Sequence, residues 1–372
     1  MTELESLRRK IDEVDAVIVQ AFEKRIQIAE EIARCKIERG LPVLDRGREA
    51  EVLKKREEML FDKRLCGDID RLYELLMSMS RAYQRRVVGK HAVEKKNCSG
   101  SGKVGYSGIR GAYADMARNR YFGEQMQAVG YQGFEDVFAA VESGEVEFGV
   151  LPIENSYAGS VQQVYDLLEK YDVAITGEQL IHISHALLCV PGASIDDIEE
   201  VYSHDQGLMQ CAEFLDHYPQ WRRIPYYNTA ASAEYVSKTG DPSKAAIASE
   251  YAGKIYGLEP LEKNINTSGE NTTRFIMIGR TEKADGSGNK ASISFVLEHK
   301  PGALAYILNV FAERGLNMVK IESRPLKHRT FEYRFYVDFA GDELQEQIEK
   351  AIDGISRYCS QLKLLGIYEN GC

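Results

Sequence analysis

The chain has 372 residues, 44% of them hydrophobic, and a formal net charge of −10. That length implies two or three domains with real cores, and the acidic balance argues against a nucleic-acid partner. No apolar run approaches the roughly 20 residues that span a bilayer, so no membrane partner is expected. Seven cysteines (Cys35, Cys66, Cys98, Cys189, Cys211, Cys359 and Cys372) form no C-x-x-C pair. An odd set of free thiols fits a reducing cytoplasm and argues against a metal site. The acidic, amphipathic start, Met1-Thr2-Glu3-Leu4-Glu5, is unlike a secretory leader.

Residues 1–88 form the first expected domain, a helical one. Leu4 to Arg39 contains no Gly or Pro, and Leu4, Leu7, Ile11, Val14, Ile18, Ile28 and Ile32 recur at helical spacing before Gly40 and Pro42 stop the helix. A rod of roughly 50 Å is too long for a lone small globule, so a second copy of the chain is expected against it. Further helices are predicted over 46–63 and 68–88. Arg25 and Lys36 lie three turns apart on one face, while Arg8 sits about 100° round the helix and can point into a partner's site.

The pattern Leu7-Arg8-Arg9-Lys10-Ile11-Asp12, Lys24-Arg25, Lys36, Pro42-Val43-Leu44-Asp45 and Arg48-Glu49, with Ser80 and Gln84 near the end of the third helix, resembles the all-helical chorismate mutase family. The resemblance implies that Arg8, reaching across a dimer, Arg25 and Arg48 bind the two carboxylates of chorismate. Lys36 and Gln84 would bond the ether oxygen and Glu49 the ring hydroxyl, with Asp45 and Ser80 among the substrate-binding residues. A pericyclic rearrangement needs a clamped dianion and a stabilised oxygen rather than a nucleophile, so cations and an amide suffice. The plain alternative is a dimerising three-helix module with a solvated charged surface.

Residues 89–102 show no periodicity and read as a tether. Residues 103–280 alternate strands and helices. Gly108-Ile109-Arg110-Gly111 opens a helix, a possible anion-binding turn that lacks the dinucleotide spacing. Strands are predicted at 147–151, 173–178, 182–190, 200–206 and 245–248, with helices at 134–143, 162–170 and 207–216. Several strands end in polar groups: Glu154-Asn155-Ser156, Ser203-His204-Asp205-Gln206, the turn Asn228-Thr229, and Asn271-Thr272-Thr273-Arg274, which enters the last apolar strand. Polar strand ends in a doubly wound sheet are where ligands sit. The plain alternatives are a loop leading into a strand, a helix-capping pair at Ser203-His204, and packing roles for His182, His185 and Cys211.

These blocks resemble prephenate dehydratase, with Asp205 where that family usually has Pro and Ala112 where it often has Ser or Thr. The resemblance implies a two-lobed α/β, periplasmic-binding-protein-like fold and loss of carbon dioxide and the ring hydroxyl from prephenate. Hydroxide leaves poorly, so a proton donor is needed; Thr273, His204 and Glu154 are the candidates. The resemblance points most strongly to Thr273 as donor or relay, with Arg274 on a carboxylate. Asn155, Ser156, Ser203, Gln206 and Thr229 are the expected supports.

Residues 281–290 read as a second linker and 291–372 as βαββαβ, an α+β ferredoxin-like sandwich. Pro301-Gly302-Ala303-Leu304 and Glu322-Ser323-Arg324-Pro325 resemble the ACT domain. That implies L-phenylalanine bound between paired modules near Gly302, Ala303, Leu304 and Asn317, with Glu322, Ser323 and Arg324 supporting the loop; a purely dimerising module is the alternative. Together the resemblances imply a cytoplasmic, cofactor-free, bifunctional chorismate mutase–prephenate dehydratase inhibited by phenylalanine, a homodimer or larger. Arogenate as second substrate, and a catalytically dead amino-acid sensor, are the rival readings.

Overall fold

The computed structural model describes residues 3–39, 46–70, 102–267, 269–283, 288–297, 300–326, 332–341 and 344–371, with further helical positions between 72 and 84. The chain divides into two units, Met1–Ser99 and Gly100–Cys372. The tether expected at 89–102 lies outside the described residues except for Gly102.

In the first unit, α1 runs unbroken from Glu3 to Arg39, 37 residues, or about 55 Å. Helix α2 covers Arg46–Met59, a short 3-10 turn covers Lys63–Leu65, and the described residues between 66 and 84 form α3. Burial among the described residues of this unit is confined to Ile26, Ala29 and Ala33 on α1 and Met77, Ser80 and Gln84 on α3. Leu4, Leu7, Ile11, Val14 and Ile18, which belong to the helical period, are all more than half exposed, as is Val17.

The second unit holds three sheets. The first contains β1 (Lys103–Ser107), β2 (Gln127–Tyr131), β3 (Phe148–Asn155), β4 (Gly159–Ser160), β5 (Val173–His182) and β11 (Thr272–Arg280), in the order β2-β1-β3-β11-β5 with β4 on β3. Helices α4 (Tyr113–Phe122), α5 (Phe134–Ser143) and α6 (Gln162–Lys170) pack on it. The second sheet contains β6 (Ala186–Cys189), β7 (Glu200–Ser203), β8 (Arg222–Pro225), β9 (Lys244–Ala248) and β10 (Glu259–Glu262), ordered β10-β6-β9-β7-β8. Its inner strands β6 and β9 are short apolar runs because both faces are covered, while the edge strands β8 and β10 are polar and largely exposed. One face meets Cys211, Leu215 and Trp221 around α7 (Asp205–Gln210) and α8 (Ala212–Leu215); the other meets α9 (Thr229–Thr239) and α10 (Glu250–Tyr256).

The single strand expected over 182–190 is two strands. β5 ends at His182 in one lobe and β6 begins at Ala186 in the other, and the chain returns between Glu262 and Thr272. The two crossings are bonded to each other: Ile183 N–H donates to Asn271 O (2.8 Å), Ile265 N–H to His185 O (3.0 Å) and His185 N–H to the Asn266 side chain (2.6 Å). His185 and Cys211 are buried as expected, whereas His182 is exposed, because it ends a strand at the lobe boundary.

The third sheet, β12 (Lys290–Leu297), β13 (Asn317–Pro325), β14 (Tyr333–Ala340) and β15 (Cys359–Tyr368), has the order β13-β14-β12-β15, with α11 (Ala303–Glu313) and α12 (Leu344–Ile355) completing the βαββαβ sandwich. It is not a body on a free tether. Tyr336, Leu365 and Tyr368 enter the apolar core formed by α5, α6 and the inward residues of β3, β5 and β11. Gly366 lets β15 approach β5 so closely that an added Cβ would stand 2.1 Å from Ile175 O.

Candidate active sites

The two-lobed module builds its site from a flaw in the central strand. Pro152 in β3 cannot donate to the ladder, and the β3–β11 register slips there, from Glu154↔Arg274 to Pro152↔Phe275. Beyond the slip, Asn155 stands directly opposite Thr273. Asn155 Oδ1 accepts the backbone N–H groups of Tyr157 and Ala158, both at 2.9 Å. Those two donors settle which end of the amide is oxygen, so Nδ2 must point the other way. It donates to Thr273 Oγ1 (2.8 Å) and Asn271 Oδ1 (2.7 Å). Thr273 is thus an acceptor from Asn155, and its hydroxyl hydrogen has no protein acceptor among the described residues. Ser156 supports the loop: its Oγ donates to Glu270 O and accepts from Thr272 N.

Side chains alternate along a strand, so Glu154 and Arg274 face away from Asn155 and Thr273. Arg274 was expected to hold a substrate carboxylate. Its guanidinium instead lies 2.6 Å from Asp338, 3.5 Å from Glu178 and 3.6 Å from Glu154. Burial works against its charge, yet Asp338, Tyr368 and Glu178 hold its pKa above the ordinary arginine value. Glu154, a candidate proton donor, is paired with Lys320 at 2.8 Å. Those contacts and the alternation of the strand put the Glu154 carboxylate on the face away from Thr273.

In the second lobe Ser203 is fully buried and donates to Ile247 O at 2.7 Å. The hydroxyl ties β7 to β9. His204 is exposed and caps α7, its Nδ1 accepting the Gln206 N–H at 3.3 Å. Gln206 is exposed in the first turn, and Thr229, half-buried, begins α9. Gly207 brings Ser203 and Thr229 together, since a Cβ there would lie 2.6 Å from Ser203 Oγ and 3.3 Å from Thr229. Among the described residues no hydrogen bond joins this group to Asn155 and Thr273 across the cleft. The glycine turn is not open to an anion, because Gly111 N–H donates to buried Asp115 (2.9 Å).

Two residues were missed. Asn271, 2% exposed, orients Asn155, and Tyr113 bonds Ser184 O (2.7 Å) and His185 (3.2 Å) at the crossing. Asn271 lay beside Thr273 in the sequence, but nothing there showed it reaching a strand more than a hundred residues away.

In the helical unit, Arg25 Nε and Gln84 Oε1 are buried without a hydrogen-bond partner among the described residues, which suits groups awaiting a ligand. Ser80 donates back to Leu76 O at 2.7 Å. Lys36 is half-buried, Arg8 is exposed, and exposed Arg48 pairs with Glu51 at 2.6 Å. Asp45 and the Glu49 side chain lie outside the described residues.

In the C-terminal module Gly302 caps α11 in the left-handed region (φ 80°), followed by Ala303 and Leu304 in its first turn. Asn317 pairs with Ala340 at the far end of the sheet. The 11-residue α11 is about 16 Å long, so one module cannot bring Gly302 and Asn317 to one small ligand. Glu322 accepts from Ser160 and Arg324 pairs with Asp166, so both face the first lobe, while Ser323 is exposed.

Three family models match in order: chorismate mutase type II over residues 7–85, prephenate dehydratase over 104–283 and the ACT domain over 291–357. The chain is 33% identical to the bifunctional chorismate mutase/prephenate dehydratase of Aquifex aeolicus, over 99% of this chain and 98% of that one. This chain belongs to the bifunctional chorismate mutase/prephenate dehydratase family. The Escherichia coli K12 protein of the same name is 31% identical over 98% of this chain and 95% of its own. The solved prephenate dehydratase of Arthrobacter aurescens in complex with L-Phe superposes with a TM-score of 0.65 at 28% identity, covering 72% of this chain and 90% of that one. The helical unit is therefore the mutase module, the two-lobed body the dehydratase module and the last sheet the ACT module.

Proposed function

We propose that the mutase module rearranges chorismate to prephenate and that the dehydratase module converts prephenate to phenylpyruvate, with L-phenylalanine acting through paired ACT modules. The observation that carries the second step is the Asn155–Thr273 pair. As the carboxylate leaves as carbon dioxide, its electron pair enters the ring and the hydroxide departs from the opposite carbon. The Thr273 hydrogen, without a protein acceptor among the described residues, meets that oxygen, and water leaves. An alkoxide would be costly, so Thr273 works as a relay, with Asn155 donating to its oxygen as charge develops there. His204, exposed at the start of α7, is the remaining candidate for the proton's source.

For the first step, Arg25 and Gln84 offer buried groups without a partner among the described residues, and Lys36, Arg48 and a partner's Arg8 supply the remaining charge. The exposed apolar seam of α1 supports a homodimer, since so much uncovered apolar surface is characteristic of an interface. No described helix is long and apolar enough to cross a membrane, and a biosynthetic role fits the cytoplasm. The deciding experiment gives purified protein chorismate and follows phenylpyruvate, with prephenate and arogenate compared as direct substrates. Phenylpyruvate formation from chorismate, with prephenate turned over faster than arogenate, is expected. A folded preparation that makes none would end this reading.

A further inference from the structure

Each member of the Asn155–Thr273 pair has a neighbour in sequence that is anchored by the ACT module. Next to Thr273 is Arg274, whose Nη1 donates to Asp338 Oδ2 at 2.6 Å. Next to Asn155 is Glu154, which meets Lys320 Nζ at 2.8 Å. Asp338 lies on β14 and Lys320 on β13, both strands of the ACT sheet. We propose that Asp338 and Lys320 are positioning residues for dehydration, holding β11 and β3 from the face opposite the reacting pair.

The anchor is built to be stiff. Arg274, Glu178, Lys290 and Asp338 have side chains only 10%, 1%, 8% and 7% exposed. Two cations face two anions, so the set is neutral. Lys290 Nζ donates to both Glu178 oxygens at 3.0 and 2.8 Å, and Asp338 Oδ1 accepts from Ser292 Oγ at 2.6 Å. Ser292 in turn meets Tyr368 O–H at 2.7 Å. Ions this far from water persist only while the set is complete, and removing one member leaves a buried charge uncompensated. The ACT sheet supplies Lys290 and Asp338, the dehydratase sheet Arg274 and Glu178. A second tie sits on Ser160, whose Oγ accepts from Lys320 (3.1 Å) and donates to Glu322 (3.0 Å).

The link to chemistry is short. One planar peptide joins Arg274 to Thr273 and another joins Glu154 to Asn155. A shift of the anchored residue therefore moves its neighbour on the reacting face. Misplacing a reacting group by an ångström can cost on the order of a hundredfold in rate. An ACT module that only dimerised would need none of these buried contacts.

The test uses the full chain and the variants Lys320→Met, Lys320→Arg and Asp338→Asn, with prephenate as substrate. Lys320→Met and Asp338→Asn should each lower dehydratase kcat about tenfold or more, with KM within about twofold of the parent, because the groups that touch substrate remain. Mutase turnover of chorismate should be unchanged, and Lys320→Arg, which keeps the charge, should retain most of the dehydratase rate. Dehydratase kcat within about twofold of the parent in Lys320→Met overturns the proposal. Should Asp338→Asn fail to fold, Lys320→Met, at a less buried site, still decides. The proposal rests on Thr273 and Asn155 being the reacting pair, so Thr273→Ala is measured alongside. If Thr273→Ala keeps full dehydratase activity, the site reading falls and the proposal with it. If Thr273→Ala is inactive while Lys320→Met and Asp338→Asn are normal, only the positioning role fails.

Discussion

Hydroxyl groups in this protein divide by what they have already bonded. Thr273 near the start of β11 and Ser203 at the end of β7 are both hydroxyl residues beside an apolar strand segment. Thr273 receives a hydrogen bond and keeps its own hydrogen, while Ser203 gives its hydrogen to Ile247 O. The first can serve a leaving group; the second holds two strands together. Ser203→Ala should therefore lower stability by about 1–2 kcal/mol, as expected for a lost buried hydrogen bond. KM for prephenate should stay unchanged. Thermal unfolding and steady-state kinetics check this, and a raised KM without loss of stability would restore a substrate contact for Ser203.

At the scale of elements, the crossing between lobes is the least ordinary feature. His185 is buried there, its Nδ1 3.2 Å from the Tyr113 hydroxyl and its Nε2 3.0 Å from the Gln210 side chain. The Tyr113 hydroxyl also donates to Ser184 O at 2.7 Å, which ties the ring to the crossing. Burial pushes the His185 pKa down, with the Gln210 bond opposing it. A histidine with a depressed folded pKa binds fewer protons folded than unfolded. Its contribution to stability is complete above the unfolded value of about 6.5 and is lost as pH falls from there through the folded pKa. The unfolding midpoint of the dehydratase unit should thus drop on acidification below that value, and His185→Gln should flatten the drop. An unchanged pH profile in a folded His185→Gln protein would assign the acid sensitivity elsewhere. The Pro152 slip acts at the same scale: without it Asn155 would not stand across from Thr273.

For the whole molecule, mutase and dehydratase chemistry belong to separate units, whereas the dehydratase and ACT modules share one core. Arg25→Ala should cut mutase kcat/KM by at least about a hundredfold, since it removes a charge proposed to clamp the dianion, and should leave turnover of added prephenate intact. Parallel assays of both activities on one preparation check this; loss of both in a folded protein would contradict independent sites. Perturbing the ACT sheet should by contrast affect dehydration first.

Periodicity and motif spacing alone determined the three modules, their order and most helices, because apolar period and turn chemistry are local properties. α5 and α6 run over the residues expected, and β12 to β15 follow the predicted βαββαβ order. Thr273 could be singled out as a candidate because its motif is contiguous. What only the tertiary structure decided was direction and partnership. Arg274 and Glu154 carry residue types suited to a site, but strand alternation turns them to the other face, where ACT side chains from far along the chain complete their charges. Which face a polar residue takes depends on register, and register is set by partners that no single stretch of sequence contains.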